Sequence, residues 1–522
     1  MPRTSWARCW LEGAGAAILM APGLIWSELS PTHIDAYHRL LPLTTVARAL
    51  AVDLVLLSLP GMLIARGLEA LTTRRTGASL NGRRNLFPLL WAGWLGFLAA
   101  SGADGLMFSQ ILTWEYLSVQ AVFFLAAELL FAVWIVSPRR YGRTIRVLRL
   151  GLQLLGICVF WMVPVLVGTS LAHQPYDEAN FEKPLPARPG PHRRIVWLLF
   201  DGMSYYQVFD HRWPGLKMPE FDKLRGEAVT FSDVQPNGAF SEDVIPSLFL
   251  GQAVATSRAT PAGWMIYRSR SDAPWRSFDG NQTLIADAER EGWRTGVSGW
   301  YNPYCRLLAA QLDWCRMELL SLPDGFSRDK STVANAFAPL ASKWMPRESG
   351  GSDTPKPSAN QLDNMVLMQP GDALIGDLQI DLCFIHLPVP HPPGHYDRKT
   401  GKIVAGGSYI DNLALSDQVL GRMLADIAKS GAEDRTTLIV SSDHSWRVWL
   451  WRHGFGWTAE DEAASRRGYF DPRPMLMVRF PGETVSDTIS RPVPLIGMHD
   501  LMERLMSGHV SNAEQLETWA AR

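Results

Sequence analysis

Apolar positions divide this 522-residue chain into two unlike parts. Up to about residue 172, long apolar stretches alternate with short segments that carry clustered arginines. Five stretches approach the roughly 20 residues that a bilayer-spanning helix needs. They cover approximately 10–29, 44–65, 86–108, 114–137 and 147–172. The pattern predicts a transmembrane domain of five helices over 1–172, a Pro-rich linker over 173–193 and a soluble domain over 194–522.

Arginines between the predicted spans indicate how the chain crosses the membrane. The N-terminus and the second and fourth connecting segments are rich in arginine, whereas the first and third have almost none apart from Arg39. By the positive-inside rule the N-terminus is cytoplasmic, and five spans place the soluble domain on the other side. We therefore expect an integral plasma (inner) membrane protein with a periplasmic or extracellular domain.

Two carboxylates, Asp53 and Glu128, fall within predicted spans, where such groups are costly. Either they are paired inside the helix bundle or they have a function, such as handling a lipid headgroup.

The soluble part alternates short buried strands with helices, which predicts an α/β domain with a mainly parallel sheet. Three continuous apolar runs have the composition of strands buried on both faces. They lie at 195–200, 380–386 and 436–442. Helices are predicted at 281–292, 411–429 and 497–507.

Polar side chains follow each of the three runs. Asp201 ends the first, a loop with His386, His391 and His395 ends the second, and Asp443-His444 ends the third. The carboxyl ends of parallel strands meet at one edge of a sheet. Carboxylate oxygens and imidazole nitrogens there suit one or two divalent metal ions, zinc or manganese above all, with magnesium as an alternative.

Ser241 precedes a short apolar helix, where backbone N–H groups favour an anion, and it is our candidate nucleophile. Each feature has an ordinary explanation when taken alone. An Asp after a strand is often a helix cap, and Ser241 with Glu242 and Asp243 has the composition of an ordinary N-cap and first turn.

Three short motifs, in this order, resemble those of the alkaline phosphatase/sulfatase superfamily. They are Phe200-Asp-Gly, the Ser-x-x-x-Ile-Pro-Ser-Leu-x-x-Gly segment from Ser241 to Gly251, and Ser-Ser-Asp443-His444. Membrane spans before such a domain are similar to the architecture of lipoteichoic acid synthases and phosphoethanolamine transferases.

This resemblance implies a role for each candidate residue. Asp201, Ser241, Asp443 and His444 would hold one divalent metal, with Ser241 as nucleophile, and His453 would complete a second metal site. His391 would lie near the substrate or a second metal and protonate the leaving group, with His386 and Arg447 as further substrate contacts. Independently of the resemblance, Trp300 and Tyr301 end a strand near the same edge, where they either stack on the substrate or pack in the core.

In one respect the sequence differs from the hydrolytic sulfatases of this superfamily. Hydrolytic sulfatases of the superfamily mature a Cys or Ser in Cys/Ser-x-Pro-x-Arg to formylglycine. Glu242, Asp243, Val244 and Ile245 follow Ser241, so the motif is missing and an unmodified serine is expected.

Lys and Arg total 50 and Asp and Glu total 51, so no basic excess points to nucleic acid. Outside the cytoplasm, Cys305 and Cys315 are expected to pair, the alternative being two independent thiols.

We expect a metal-dependent transferase that moves a phosphoryl-linked headgroup from a membrane phospholipid to an envelope glycan or lipid acceptor. One alternative is a membrane-anchored phosphodiesterase or sulfatase that uses water as the acceptor. Another is a non-catalytic envelope scaffold that retains the fold. A metal-free serine hydrolase built on Ser298 lacks the Gly-x-Ser-x-Gly spacing.

Overall fold

The computed structural model describes residues 5–20, 43–73, 90–100, 119–172, 180–188, 190, 192–259, 264–318, 369–452 and 456–522. The chain divides into two compact units. One is formed chiefly from the first 175 residues and the other from most of the remainder.

Apolar helices build the first unit. In the described residues they are α1 (Trp6–Met20), α2 (Leu43–Thr73), α3 (Leu90–Ala100), α4 (Val119–Val136), α5 (Pro138–Ile157) and α6 (Val159–Ala172). Ser137 caps α5 by accepting the backbone N–H of Arg140, and Pro138 occupies the first turn, where its missing N–H costs nothing.

The prediction of five membrane spans is too high for the described residues. Two helical windows there are long and apolar enough to cross a bilayer, Leu50–Ala70 and Gly142–Gly168, and the second runs from α5 into α6. The 15-residue α1 is about 22 Å long at 1.5 Å per residue, short of a hydrocarbon core of about 30 Å. The apolar parts of α3 and α4, Leu90–Ala100 and Phe124–Trp134, are shorter still. Within the described residues, the length of the apolar stretches therefore overestimated the number of helices long enough to cross a bilayer.

Glycines let the helices of the first unit approach closely. A Cβ on Gly13 would lie 2.2 Å from the carbonyl oxygen of Ser58 in α2, and one on Gly15 would lie 2.0 Å from that of Leu152 in α5. Small residues at helix contacts are typical of membrane bundles, because packing replaces the hydrophobic effect as the driving force there.

The carboxylates predicted within the spans differ in environment. Asp53 is buried, whereas Glu128 is exposed. The buried ion pair between helices belongs instead to Glu12, which accepts from Arg149 and from Gln153 at 2.6 Å.

A nine-stranded sheet forms the centre of the second unit. Its strands are β1 (Phe181–Glu182), β2 (Arg194–Phe200), β3 (Val229–Phe231), β8 (Thr295–Trp300), β9 (Trp314–Glu318), β10 (Leu382–Leu387), β13 (Thr436–Ser441), β14 (Leu476–Arg479) and β15 (Asp487–Ile489), in the order β1-β9-β8-β10-β2-β13-β14-β3-β15. Smaller sheets use β4 (Val234–Gln235), β5 (Thr256–Ala259), β6 (Met265–Arg268), β7 (Arg276–Ser277), β11 (Gly394–Asp397), β12 (Lys402–Gly407) and β16 (Val493–Pro494).

The large sheet is mixed, and five of its eight strand pairs are parallel, as the prediction of a mainly parallel sheet requires. The five neighbours β9, β8, β10, β2 and β13 are parallel. However, β1 runs antiparallel to β9, β14 antiparallel to β13, and β3 antiparallel to β14. Alternating strands and helices predict crossovers for the central strands, but they do not fix the direction of short edge strands.

Helices cover this sheet and connect its strands. They are α7 (Pro219–Arg225), α8 (Ser241–Leu250), α9 (Leu284–Arg290), α10 (Tyr304–Leu307), α11 (Gln369–Gly376), α12 (Tyr409–Lys429), α13 (Val448–Trp451), α14 (Ala459–Ala464), α15 (Met498–Ser507) and α16 (Ala513–Ala520). Every residue of β2 is buried, as its unbroken apolar run predicts.

Residues 180–188, which the sequence assigns to the linker, pack on the sheet edge. Phe181 and Glu182 pair with β9, and Arg188 forms an ion pair with Asp381. The predicted pairing of Cys305 with Cys315 is confirmed, and the disulfide joins α10 to β9.

Candidate active site

Four of the predicted metal residues meet at the carboxyl edge of the parallel strands. Asp201 follows β2 and Asp443-His444 follows β13, two strands paired in parallel, while Ser241 begins α8. The Ser241 hydroxyl donates to Asp201 Oδ2 at 3.4 Å and lies 3.5 Å from His444 Nε2. His444 Nε2 is also 3.4 Å from Asp201 Oδ1 and from Asp443 Oδ2.

Backbone contacts hold these groups in place. The N–H groups of Gly202 and His444 donate to Asp443 Oδ1 at 3.1 and 2.9 Å. His444 Nδ1 donates to the carbonyl oxygen of Ser445 at 2.8 Å, which leaves the Nε2 lone pair directed at the carboxylates. Gly202 has a left-handed φ of 73°, and a Cβ there would lie 3.4 Å from the His444 ring.

These side chains fit a divalent metal ion. Asp201 Oδ1 and Asp443 Oδ2 are buried acceptors without a hydrogen-bond donor, and both face an imidazole nitrogen that is itself an acceptor. Burial, followed by the charge of Asp443, raises the pKa of Asp201 well above its usual value. Burial and then Arg447 lower the pKa of His444, which keeps the ring neutral. Buried carboxylates and a neutral imidazole together are a ligand set for zinc or manganese.

His386 lies against this cluster. Its Nε2 is 3.4 Å from Asp201 Oδ2, and its Nδ1 shares a 2.8 Å hydrogen bond with the hydroxyl of Tyr304. Burial lowers the pKa of His386 to about 4. Trp300, predicted to contact the substrate, is 3% exposed, with its ring centroid 5.9 Å from His386 and 5.6 Å from His391.

Arg447 and His391, predicted separately, are in direct contact. Arg447 Nη2 donates to His391 Nε2 at 2.9 Å, and Nη1 donates to the carbonyl oxygen of Ala239 at 3.1 Å. The guanidinium also lies 5.1 Å from the centroid of Phe240, which precedes Ser241. Burial, then the charge of Arg447, lowers the pKa of His391 well below its usual value, so its ring is neutral. With Nε2 bound to Arg447, His391 has no proton at that atom to donate.

The sequence also singled out His395 and His453. His453 lies outside the described residues, so its predicted place in a second metal site stays a prediction. His395 is fully buried, and its backbone N–H donates to Asn412 Oδ1 at 3.0 Å.

Asn412 is a residue that sequence reasoning missed. Its Nδ2 lies 3.2 Å from the carbonyl oxygen of His391 and 3.4 Å from those of Pro390 and Pro393. One buried amide of α12 therefore holds the loop that carries His391. The available signal was a polar residue on the apolar face of a helix of 21 residues.

The contact between Glu242 and Tyr301 was not predicted, although the sequence had placed Tyr301 near this edge. The Tyr301 hydroxyl donates to Glu242 Oε2 at 3.0 Å, and burial raises the pKa of Glu242 to about 7. Tyr301 has a φ of 67°, a conformation that costs a bulky residue energy and that clusters at functional sites.

Comparison with known proteins agrees with the resemblance seen in the motifs. The model of the Sulfatase family matches residues 193–466, more than half of the chain. This chain therefore belongs to the Sulfatase family, within the alkaline phosphatase superfamily. No curated protein matches it.

Three solved structures illustrate the fold. A protein of the alkaline phosphatase superfamily from Vibrio parahaemolyticus is 16% identical with a TM-score of 0.37, over 61% of this chain and 67% of that one. The phosphonate monoester hydrolase of Agrobacterium radiobacter is 16% identical with a TM-score of 0.39, over 60% and 74%. The PsFucS1 sulfatase from Pseudoalteromonas sp. is 15% identical with a TM-score of 0.40, over 60% and 67%.

Proposed function

We propose that this member of the Sulfatase family is a membrane-bound, metal-dependent transferase. It moves a phosphoryl-linked headgroup from a membrane phospholipid to an envelope glycan or lipid acceptor through Ser241. The supporting observation is the position of the Ser241 hydroxyl, 3.4 Å from Asp201 Oδ2 and 3.5 Å from His444 Nε2. We also propose the topology predicted from the arginines, with a cytoplasmic N-terminus and the catalytic unit outside.

Asp201, Asp443 and His444 would hold the metal ion, with the Ser241 oxygen beside them. A divalent ion at this position supplies positive charge that lowers the pKa of a hydroxyl and offsets charge on a phosphoryl group. Asp201 Oδ2, which already accepts from Ser241, is the first acceptor for the serine proton. The first turn of α8 presents backbone N–H groups to an anion at the same point.

Arg447 and His391 would act together on the transferred group. In this mechanism Arg447 moves from His391 onto the anionic oxygens of the substrate, which frees His391 Nε2 to accept a proton from solvent and to pass it to the leaving alkoxide as the P–O bond breaks. Arg447→Lys keeps the charge but cannot make both contacts of the guanidinium. We expect kcat/KM to fall about 10- to 100-fold, the equivalent of one charge-assisted hydrogen bond.

Surface side chains beside the site support a lipid donor. Trp449 and Leu450 are 49% and 40% exposed. The Trp449 ring lies 6.1 Å from that of Phe240, next to the nucleophile, and Trp451 lies 5.3 Å from His391. Exposed tryptophan is favoured at membrane interfaces, and the same chain contains two candidate spans.

The absence of the formylglycine motif after Ser241 supports phosphate over sulfate as the transferred group.

The test uses the full-length chain in lipid nanodiscs with a phospholipid labelled in its headgroup. We expect diacylglycerol release that depends on metal and on an alcohol acceptor, with the label on the acceptor. Ser241→Ala should abolish it, whereas Ser298→Ala, a control in a buried strand of the same unit, should keep it. Label released as the free phosphorylated headgroup at the same rate without an acceptor would indicate the hydrolase instead. If the purified protein binds no metal and cells that carry Ser241→Ala show the wild-type phenotype, the non-catalytic scaffold would be indicated.

A further inference from the structure

A second group of potential metal ligands lies away from Ser241, Asp201, Asp443 and His444. Asp287 in α9 and His499 and Glu503 in α15 each direct one acceptor atom to a common point. His499 Nε2 is 3.6 Å from Glu503 Oε1 and 3.9 Å from Asp287 Oδ2. His499 and Glu503 are four positions apart, which places both side chains on one face of α15.

The tautomer of His499 is fixed by a backbone contact. Its Nδ1 donates to the carbonyl oxygen of Leu248 at 3.2 Å, which leaves Nε2 facing the two carboxylates. A metal-binding histidine typically uses its other nitrogen in this way. The two oxygens of the Asp287 carboxylate have different partners. Oδ1 accepts from Arg290, and Oδ2 faces His499.

A plain ion pair accounts for these distances less well. A protonated Nε2 would donate to one carboxylate at about 2.7–2.9 Å, yet neither carboxylate oxygen is that close. Tetrahedral ligands at the zinc–nitrogen and zinc–oxygen distance of about 2.0–2.1 Å are roughly 3.4 Å from one another. The two imidazole–carboxylate distances, 3.6 and 3.9 Å, exceed that value by about 0.2 and 0.5 Å, and all three ligand atoms lie within 4.8 Å of one another.

We propose that Asp287, His499 and Glu503 bind a structural divalent ion of the zinc type, with water completing its coordination. Two carboxylates and an imidazole nitrogen supply the charge and the donor atoms for it. The ion would join α9 to α15 through a histidine that also contacts Leu248 in the last turn of α8. A Cβ on Gly251, just after α8, would lie 2.7 Å from the His499 ring, so ring and helix end are in close contact. The site would therefore hold the far end of the helix that begins with Ser241.

Zinc content of the full-length chain in detergent tests this assignment. The purified protein is stripped with a chelator, dialysed against buffered Zn²⁺ and analysed for metal. We expect Glu503→Gln and Asp287→Asn each to retain one ion fewer per chain than the wild type, while the exposed control Glu514→Gln retains as many. Glu503 is half exposed, so its replacement leaves the fold intact.

Two further measurements separate this site from the first. His444→Ala should lose a different ion and keep the one at His499, whatever happens to activity. Added Zn²⁺ should raise the thermal unfolding midpoint of His444→Ala, and Glu503→Gln in that background should remove the increase. Equal zinc content in the wild type, Glu503→Gln and Asp287→Asn would overturn the proposal and leave an ion pair.

Discussion

A substitution at Asn412 can change the position of His391 without replacing His391 itself. The side chain is fully buried, accepts from the backbone N–H of His395, and donates toward the carbonyl oxygens of residues 390, 391 and 393. Asn412→Asp keeps the shape and the acceptor but turns the donor into a second acceptor. The variant would place a carboxylate oxygen against three carbonyl oxygens.

The expected cost follows from the number of donors lost. An amide nitrogen carries two hydrogens, so two carbonyl groups lose their partner at any moment, at about 1–3 kcal/mol each. We therefore expect the loop to lose about 2–6 kcal/mol of local stability. At 1.4 kcal/mol per tenfold, its amides should exchange hydrogen about 30- to 20,000-fold faster. A shift of about 1 Å in His391 would lower kcat about 100-fold.

Hydrogen exchange measured by mass spectrometry on the full-length chain reports on peptides that cover 388–396. Ser416→Ala is the matched control, because Ser416 is buried one turn further along α12 and its hydroxyl bonds only to the carbonyl oxygen of Asn412. Unchanged protection of 388–396 in Asn412→Asp, together with unchanged kcat, would refute the positioning role.

Three further changes have defined outcomes. Burial raises the pKa of Glu242 from 4.5 to about 7, so ionisation destabilises the folded state as pH rises through that range. The free energy of unfolding of Glu242→Gln should therefore rise by roughly 3 kcal/mol relative to the wild type between about pH 4.5 and pH 8. Equal unfolding midpoints of the two metal-free proteins at both pH values would contradict this. Gly15→Ala places a Cβ 2.0 Å from a backbone oxygen, whereas Gly142→Ala meets open space, so the first should lower the thermal stability of the chain in detergent and the second should not. Cys305→Ser opens a loop with a sequence separation of 10 and should cost somewhat under 3 kcal/mol, measured by urea unfolding, with no further loss when reductant is added.

The sequence predicted the parts of the site that follow buried strands. Asp201 and Asp443 could be placed together because an apolar run ended by a carboxylate identifies the edge of a parallel sheet. Ser241 was found from its position before a short helix. These inferences succeed because each depends on local pattern and on the rule that parallel strands share an edge.

Contacts between residues that are far apart in the sequence could not be predicted in this way. Asn412 acts through three carbonyl groups whose directions depend on the path of a proline-rich loop. The contact of Arg447 with His391 joins residues 56 positions apart, and no periodic pattern records it. Tyr301 adopts a left-handed conformation that nothing in its sequence context requires.

The first unit shows the opposite error, because the apolar pattern was interpreted too broadly. Counting apolar residues predicted five spans, whereas the described helices contain two windows of sufficient length. Composition indicates how apolar a stretch is, but the distance that the stretch can cross depends on how many of its residues are helical.

The most direct test of the central claim is to look for the covalent intermediate on Ser241. Full-length protein loaded with metal is mixed with a phospholipid donor, quenched in acid within one turnover and digested for mass spectrometry. We predict that the peptide containing Ser241 gains the mass of the phosphorylated headgroup, and that a chelator or His444→Ala abolishes the gain. A Ser241 peptide of unchanged mass during active turnover, or the same adduct without metal, would contradict the account.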